Sequence, residues 1–152
     1  MTRRNLLILL VLLTFALPAA ANDIGAGIII GEPTGLSFSL NNQFVLGAAW
    51  SFREYVHLHG DYIFLRNGIE KVEEEIAKPF GWYLGGGAKL RIFTRDKDTD
   101  DSSIGLGLRI PVGVTFYPSE KIELFLELAP GIALFPDTSG DLDGGIGIRY
   151  HF

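Results

Sequence analysis

The chain has 152 residues, 13 of them basic and 18 acidic, with three histidines and no cysteine. An acidic balance of −5 with no basic cluster argues against nucleic acid as a partner. Without cysteine the fold must be held by packing or by a membrane rather than by disulfides, and the length suits a single domain.

The first segment, "MTRRNLLILLVLLTFALPAA", sets Arg3 and Arg4 before an apolar run from Leu6 to Leu17, followed by Pro18 and small residues. This is the pattern of a secretory signal peptide over residues 1–21, with Ala19, Ala20 and Ala21 as the cleavage box. The run falls short of the roughly 20 residues a membrane-spanning helix needs. Taking Arg3 and Arg4 from the 13 basic residues leaves 11 against 18 acidic ones, a formal charge of −7 for a mature chain over residues 22–152.

From Asn22 onward the pattern is alternation, the mark of β-strands with two unlike faces. "DIGAGIIIG" and "GLSFSLN" read as the first two strands. In "FVLGAAWSF", Phe44, Leu46, Ala48, Trp50 and Phe52 share a face opposite Val45, Gly47, Ala49 and Ser51. "YVHLHGDYIFL" sets Val56, Leu58, Tyr62 and Phe64 against Tyr55, His57, His59 and Asp61. "WYLGGGAKLRIF" sets Trp82, Leu84, Leu90 and Ile92 against Gly85, Gly87, Lys89 and Arg91. "IGLGLRIPVGVTFY" and "KIELFLELAPGIALF" continue the division, with Arg109, Glu123 and Glu127 on the polar side. The chain closes with Leu142, Ile146, Ile148, Tyr150 and Phe152 against Asp141, Asp143, Arg149 and His151. Pro111 and Pro130 fall inside these strands, where a missing N–H predicts a bulge or a break.

Eight strands of about the length that a tilted membrane strand requires, separated by turn-rich segments, predict an all-β fold. Its form would be an eight-stranded antiparallel up-and-down transmembrane β-barrel. A soluble lipocalin-like barrel binding a small hydrophobic ligand would show the same rhythm with its faces inverted. The glycines discriminate: 14 of 19 occupy odd positions, on the face shared with the charges. In a narrow lumen such residues make room for long charged side chains, whereas on a wet exterior they would only weaken the strands. The apolar face is therefore expected to meet outer-membrane lipid, with Phe44, Trp50, Phe52, Phe64, Trp82, Phe116 and Tyr150 as aromatic girdles at both interfaces.

The polar face predicts an interior network in which Asp61, Glu123, Glu127, Asp141 and Asp143 neutralise Lys89, Arg91, Arg109 and Arg149. His57, His59 and Asp61, at alternate positions on one strand, could instead approach a metal or act as a base with its orienting carboxylate. The nearby serines Ser37, Ser39 and Ser51 are candidate nucleophiles only by proximity, and the expectation is no enzyme, no metal and no cofactor. Asp96, Asp98, Asp100 and Asp101 begin like a calcium loop but lack its glycine and closing glutamate, and read as a solvated loop. The segment "RNGIEKVEEEIAKPF" is long for the side on which the termini would lie and is expected to form a short helix.

The closing "IGIRYHF", aromatic at its end with apolar residues at alternate positions before it, resembles the C-terminal signal of Gram-negative outer-membrane barrels. That resemblance implies an insertion tag at Ile148, Tyr150 and Phe152, read by the barrel-assembly machinery. In architecture the mature chain is similar to small OmpA- and OmpX-type barrels. More narrowly, "GEPTGLSF", "AWSF", "HLHGDY" and "GLRIPVGVTF" resemble a group of largely uncharacterised bacterial outer-membrane barrels to which some spirochaete surface proteins are related. The expected role is that of a monomeric envelope protein, for integrity or adhesion, with an extracellular protein or surface ligand met by the acidic loop and by tips at Glu32, Glu54 and Asp137. A narrow porin-like channel is the competing class.

Overall fold

In a computed structural model, residues 23–51, 55–68, 80–93 and 104–152 are described. The expected signal peptide (1–21), Phe52, Glu54, the expected helix after residue 68 and the acidic loop at 96–101 lie outside the described residues.

The described residues form nine strands: β1 (Ile24–Glu32), β2 (Thr34–Leu40), β3 (Phe44–Ser51), β4 (Tyr55–Gly68), β5 (Phe80–Phe93), β6 (Ile104–Arg109), β7 (Val112–Ser119), β8 (Ile122–Phe135) and β9 (Ser139–His151). β6 and β7 both lie between β5 and β8, so they are two halves of one stave interrupted at Ile110 and Pro111. Counted once, they make an eight-stave antiparallel meander, and β1 closes it by pairing with β9 from Gly25↔His151 to Glu32↔Gly144. The last strand thus seals the sheet and leaves no free edge, which accounts for its regular alternation up to the chain end.

The interruption has a local cause. Pro111 has no N–H to give to the ladder, its ring is fully buried in the interior, and its carbonyl accepts from the Gly85 N–H at 2.9 Å. Pro130 behaves differently from the expected second break. It stays inside β8, paired with Leu142 of β9 without a register shift, while its carbonyl accepts from the Ile110 N–H at 2.9 Å. A strand residue presents its N–H and C=O to the same neighbour, so the donor that Pro130 lacks faces the stave already interrupted. The β2–β3 turn places Asn41 and Asn42 at φ of 52° and 56°, a left-handed conformation that asparagine tolerates.

The apolar parity points out. Leu142 and Ile146 are more than 60% exposed, and Ile28, Leu36, Leu108 and Leu126 are exposed beside them, while Glu123 and Arg149 on the other parity are 0% and 1% exposed. Bulges invert the rhythm in two places: the β4–β5 register shifts between Ile63 and Leu65, so Ile63 is buried, Phe64 and Leu65 are both exposed and Arg66 turns inward, and the β6–β8 register shifts between Leu106 and Gly107, leaving Leu134 and Phe135 both exposed.

The aromatic residues are less symmetrical than two girdles. Phe44, Phe64, Trp82, Phe116 and Tyr150 sit on the outer wall toward the end that carries the chain termini, joined by Tyr62, Phe80 and Phe152. Ring pairs stitch neighbouring strands there, with Phe44 5.1 Å from Tyr62 and Phe80 4.8 Å from Phe116. At the opposite rim, the described outer-wall aromatics are Trp50 and Phe135.

Inward glycines have no room for a side chain. A Cβ on Gly47 would overlap the His59 ring, one on Gly113 the Tyr83 ring, and one on Gly27 the Ile148 carbonyl. Gly140, by contrast, has nothing within 4 Å of that position. Gly27→Val is expected to lose about 3 kcal/mol or more and the compact gel mobility of the unheated protein, while Gly140→Val keeps both, as read by urea titration in micelles and by electrophoresis with and without boiling.

Candidate functional site

Among the described residues, polar side chains converge in the interior, which is built from two unlike walls. β1, β2 and β3 present Gly25, Gly27, Gly35, Ser37, Ser39, Gly47 and Ala49 inward. The charges stand on the staves from β4 to β9 and reach across toward that small wall.

At the end carrying the termini, Glu123 is the hub. Its carboxylate accepts from Arg149 Nη1 at 3.0 Å, Arg66 Nη1 at 3.3 Å and Tyr117 OH at 3.2 Å, and hydrogen-bonds His151 Nε2 at 3.1 Å. His151 Nδ1 in turn lies 2.8 Å from Asp23 Oδ1, tying the last strand to the residue before β1. Arg149 reaches over Gly27 of the intervening β1 to donate to Ser37 Oγ at 3.0 Å, with its guanidinium 3.8 Å from the Phe125 ring centroid.

At mid-height Arg109 donates to Glu127 at 2.5 Å, and Tyr83 OH donates to the other oxygen of that carboxylate at 2.6 Å. Arg109 Nε also lies 3.4 Å from Asp61 Oδ1. Toward the opposite rim Lys89 donates to Asp141 at 2.5 Å and Asp143 at 2.8 Å, and Arg91 donates to Asp141. Five cations (Arg66, Lys89, Arg91, Arg109, Arg149) thus face five carboxylates (Asp61, Glu123, Glu127, Asp141, Asp143). Unpaired, each buried charge would cost several kcal/mol.

Of the residues singled out from sequence, Lys89, Arg91, Arg109, Arg149 and the five carboxylates enter this network. His57 and His59 lie inside the barrel but beside it. Their rings meet edge to face at 5.2 Å, His59 Nε2 is 3.7 Å from Asp61, and neither ring nitrogen of His57 has a protein hydrogen-bond partner. Among the described residues no three His, Asp or Glu side chains gather as a metal site would require. Ser37 is engaged by Arg149, and Ser39 is fully buried. Sequence reasoning missed Arg66, Tyr83, Tyr117, His151 and Asp23 as network members. Parity alone would have placed Tyr83 with Gly85 and Gly87, and His151 with Arg149, whereas Arg66 is hidden from parity by the bulge at Phe64.

A family model described as "Protein of unknown function (DUF3996)" matches residues 18–152. The crystal structure of neisserial surface protein A (NspA) superposes with a TM-score of 0.46 at 14% identity, covering 86% of this chain and 94% of that one. No curated protein matches the chain.

Removing one member of a buried pair strands the other. Glu127→Leu leaves Arg109 with Asp61 as its nearest carboxylate and takes the acceptor from Tyr83. It should cost about 3–5 kcal/mol in urea unfolding of the micelle-bound protein, and Arg109→Met added to Glu127→Leu should recover most of that loss.

Proposed function

We propose that this chain, which belongs to the DUF3996 family, is a small integral outer-membrane barrel with an occluded lumen and a structural or surface-interaction role. The observation that carries this reading is the orientation of the two faces: a continuous apolar belt outside and paired charges inside. A barrel closed by β1–β9 satisfies its ladder without an edge, as a hydrocarbon environment demands. A soluble lipocalin-like barrel needs the reverse, apolar side chains inward around its ligand.

The lumen supports a plug rather than a pore. Eight staves leave an interior that side chains can fill, and here Lys89 of β5 reaches Asp141 and Asp143 of β9 while Arg109, Glu127 and Tyr83 occupy mid-height. The ion pairs also favour a non-catalytic role, since Lys89, Arg91, Arg109, Arg149, Glu123, Glu127, Asp141 and Asp143 are engaged with one another, whereas the buried Asp61 oxygens accept no hydrogen bond within the protein. In this reading the aromatic-rich end lies at the periplasmic interface, the barrel-assembly machinery reads Ile148, Tyr150 and Phe152, the barrel works as a monomer, and the opposite rim meets any extracellular partner. That role is envelope integrity or adhesion.

The test combines location, folding and conduction. Expressed with its leader, the protein should fractionate with the outer membrane and migrate faster unheated than boiled, and Phe152→Ser should cut the assembled fraction severalfold. In planar bilayers the wild type should stay silent. Recovery as a detergent-free soluble protein would overturn the membrane reading, and steady unitary currents would overturn the plug.

A further inference from the structure

We infer that the outer wall of the barrel carries a slot for one hydrocarbon chain of a membrane lipid, lying over the interrupted stave between Gly86, Ile110 and Pro130. The inference rests on the outer-membrane reading and adds a binding site to it.

At residues 110 and 111 the reciprocal pairing pauses on both sides, leaving one bond to each neighbour, Gly85 N–H to the Pro111 carbonyl and Ile110 N–H to the Pro130 carbonyl. The β5–β6 ladder ends at Gly87↔Arg109 and β5–β7 begins at Leu84↔Val112, while β6–β8 ends at Arg109↔Gly131 and β7–β8 begins at Val112↔Leu128. The gap falls between the six residues of β6 and the eight of β7, at the middle of the wall. In hydrocarbon an opened ladder ordinarily strands N–H donors at several kcal/mol each. Pro111 and Pro130 have no such donor, and their carbonyls are taken by Gly85 and Ile110. The ladder opens where its open positions are prolines, which marks a built feature rather than a packing fault.

On the outer face the gap becomes a depression of about 570 Å³, with Gly86, Gly87 and Gly131 in its floor and Ile110, Pro130 and Ile132 in its sides. Gly86 is the residue that leaves it empty. Its missing side chain would point outward, where the nearest heavy atom to an added Cβ is Phe64 Cε1 at 3.6 Å. Arg109 borders the same place but turns its guanidinium to Glu127 inside the barrel. Behind the floor the Arg109–Glu127–Tyr83 cluster fills the lumen, so the depression ends at the wall and gives no passage through it.

The chemistry of the occupant follows from position. The depression is continuous with the apolar belt of Leu106, Leu108, Leu126 and Leu128 and presents no charged group outward to hold a headgroup at that depth. What fits is the flexible part of an acyl chain, which gains dispersion contact by filling the depression. Hydrophobic transfer adds little inside a bilayer, so the gain is modest and shows as slowed lipid exchange.

The experiment is electron spin resonance of the full barrel reconstituted in phosphatidylcholine vesicles containing phosphatidylcholine spin-labelled near the chain end. Wild type should show a motionally restricted, slowly exchanging component that Gly86→Leu reduces at least about threefold. Ala48→Leu, which places the same side chain on the outer face of β3, two staves from Gly86, should leave that component unchanged. All three proteins should retain heat-modifiable mobility, the sign that the barrel is intact. An undiminished component in Gly86→Leu, or an equal loss in Ala48→Leu, overturns the slot while the membrane reading stands. Trapping of dimers through Ile110→Cys under oxidation, in place of restricted lipid, also overturns it by making a second copy the occupant. A wild type that stays in the aqueous phase overturns the membrane reading itself.

Discussion

Charge pairing inside a lumen too narrow to hydrate its charges freely is the constraint on which the rest of this barrel depends. Each interior carboxylate must find its cation at a fixed height, and the partners come from different staves: Glu127 on β8 with Arg109 on β6, Glu123 on β8 with Arg149 on β9, Asp141 and Asp143 on β9 with Lys89 on β5. A slip of one residue in any of these ladders would turn charges into the apolar belt and apolar side chains into the lumen. A slip of two would keep the faces but separate the pairs. The network therefore specifies register as well as neutrality, and the ladders on both sides of β9 run without a shift.

The same constraint explains why the glycines are where they are. Long cations and carboxylates rooted on the staves from β4 to β9 need somewhere to lie, and the lumen offers only the space above the facing strands. Gly25 lies under the His151 ring, Gly47 under the His59 ring and Gly113 under the Tyr83 ring, each so close that a Cβ would collide. The small wall from β1 to β3 and the charged wall opposite it are complementary in volume. Arg149, the largest fully buried side chain, lies over Gly27 of β1 to reach Ser37 on β2.

Much of this was legible because a strand has period two and a barrel has two unlike faces. Alternation located the staves, and the shared parity of glycines and charges identified the inner face. Of the three departures, the first two share one cause, which is that hydrogen-bond register between strands leaves no local trace. The bulge at Phe64 inverts parity and hides Arg66 until the β4–β5 ladder is seen. The two prolines look equivalent in sequence, yet Pro111 interrupts its stave and Pro130 does not, because the donor that Pro130 lacks faces a partner already broken. The aromatics lie at strand ends as the sequence suggests, but which end is set by turns and by tilt, and they gather toward the termini.

The interrupted stave and the closing strand are two answers to one problem, the satisfaction of backbone donors in a wall that, on the outer-membrane reading proposed above, meets lipid rather than water. At the β1–β9 seam every position from Gly25 to Glu32 has a partner, and the Phe152 N–H still finds the Ile24 carbonyl at 3.0 Å. His151 adds a side-chain link to Asp23 across the same seam. At Ile110 and Pro111 the wall instead opens, and it does so where two prolines remove donors that would otherwise be stranded. The interior charges permit this opening because Arg109 and Glu127, held to each other and to Tyr83 and Asp61, fill the lumen directly behind it. Local loss of ladder is thus compensated by side-chain bonding one layer in. A barrel whose centre was merely apolar would have no such reserve, and the same two prolines would weaken it at mid-height.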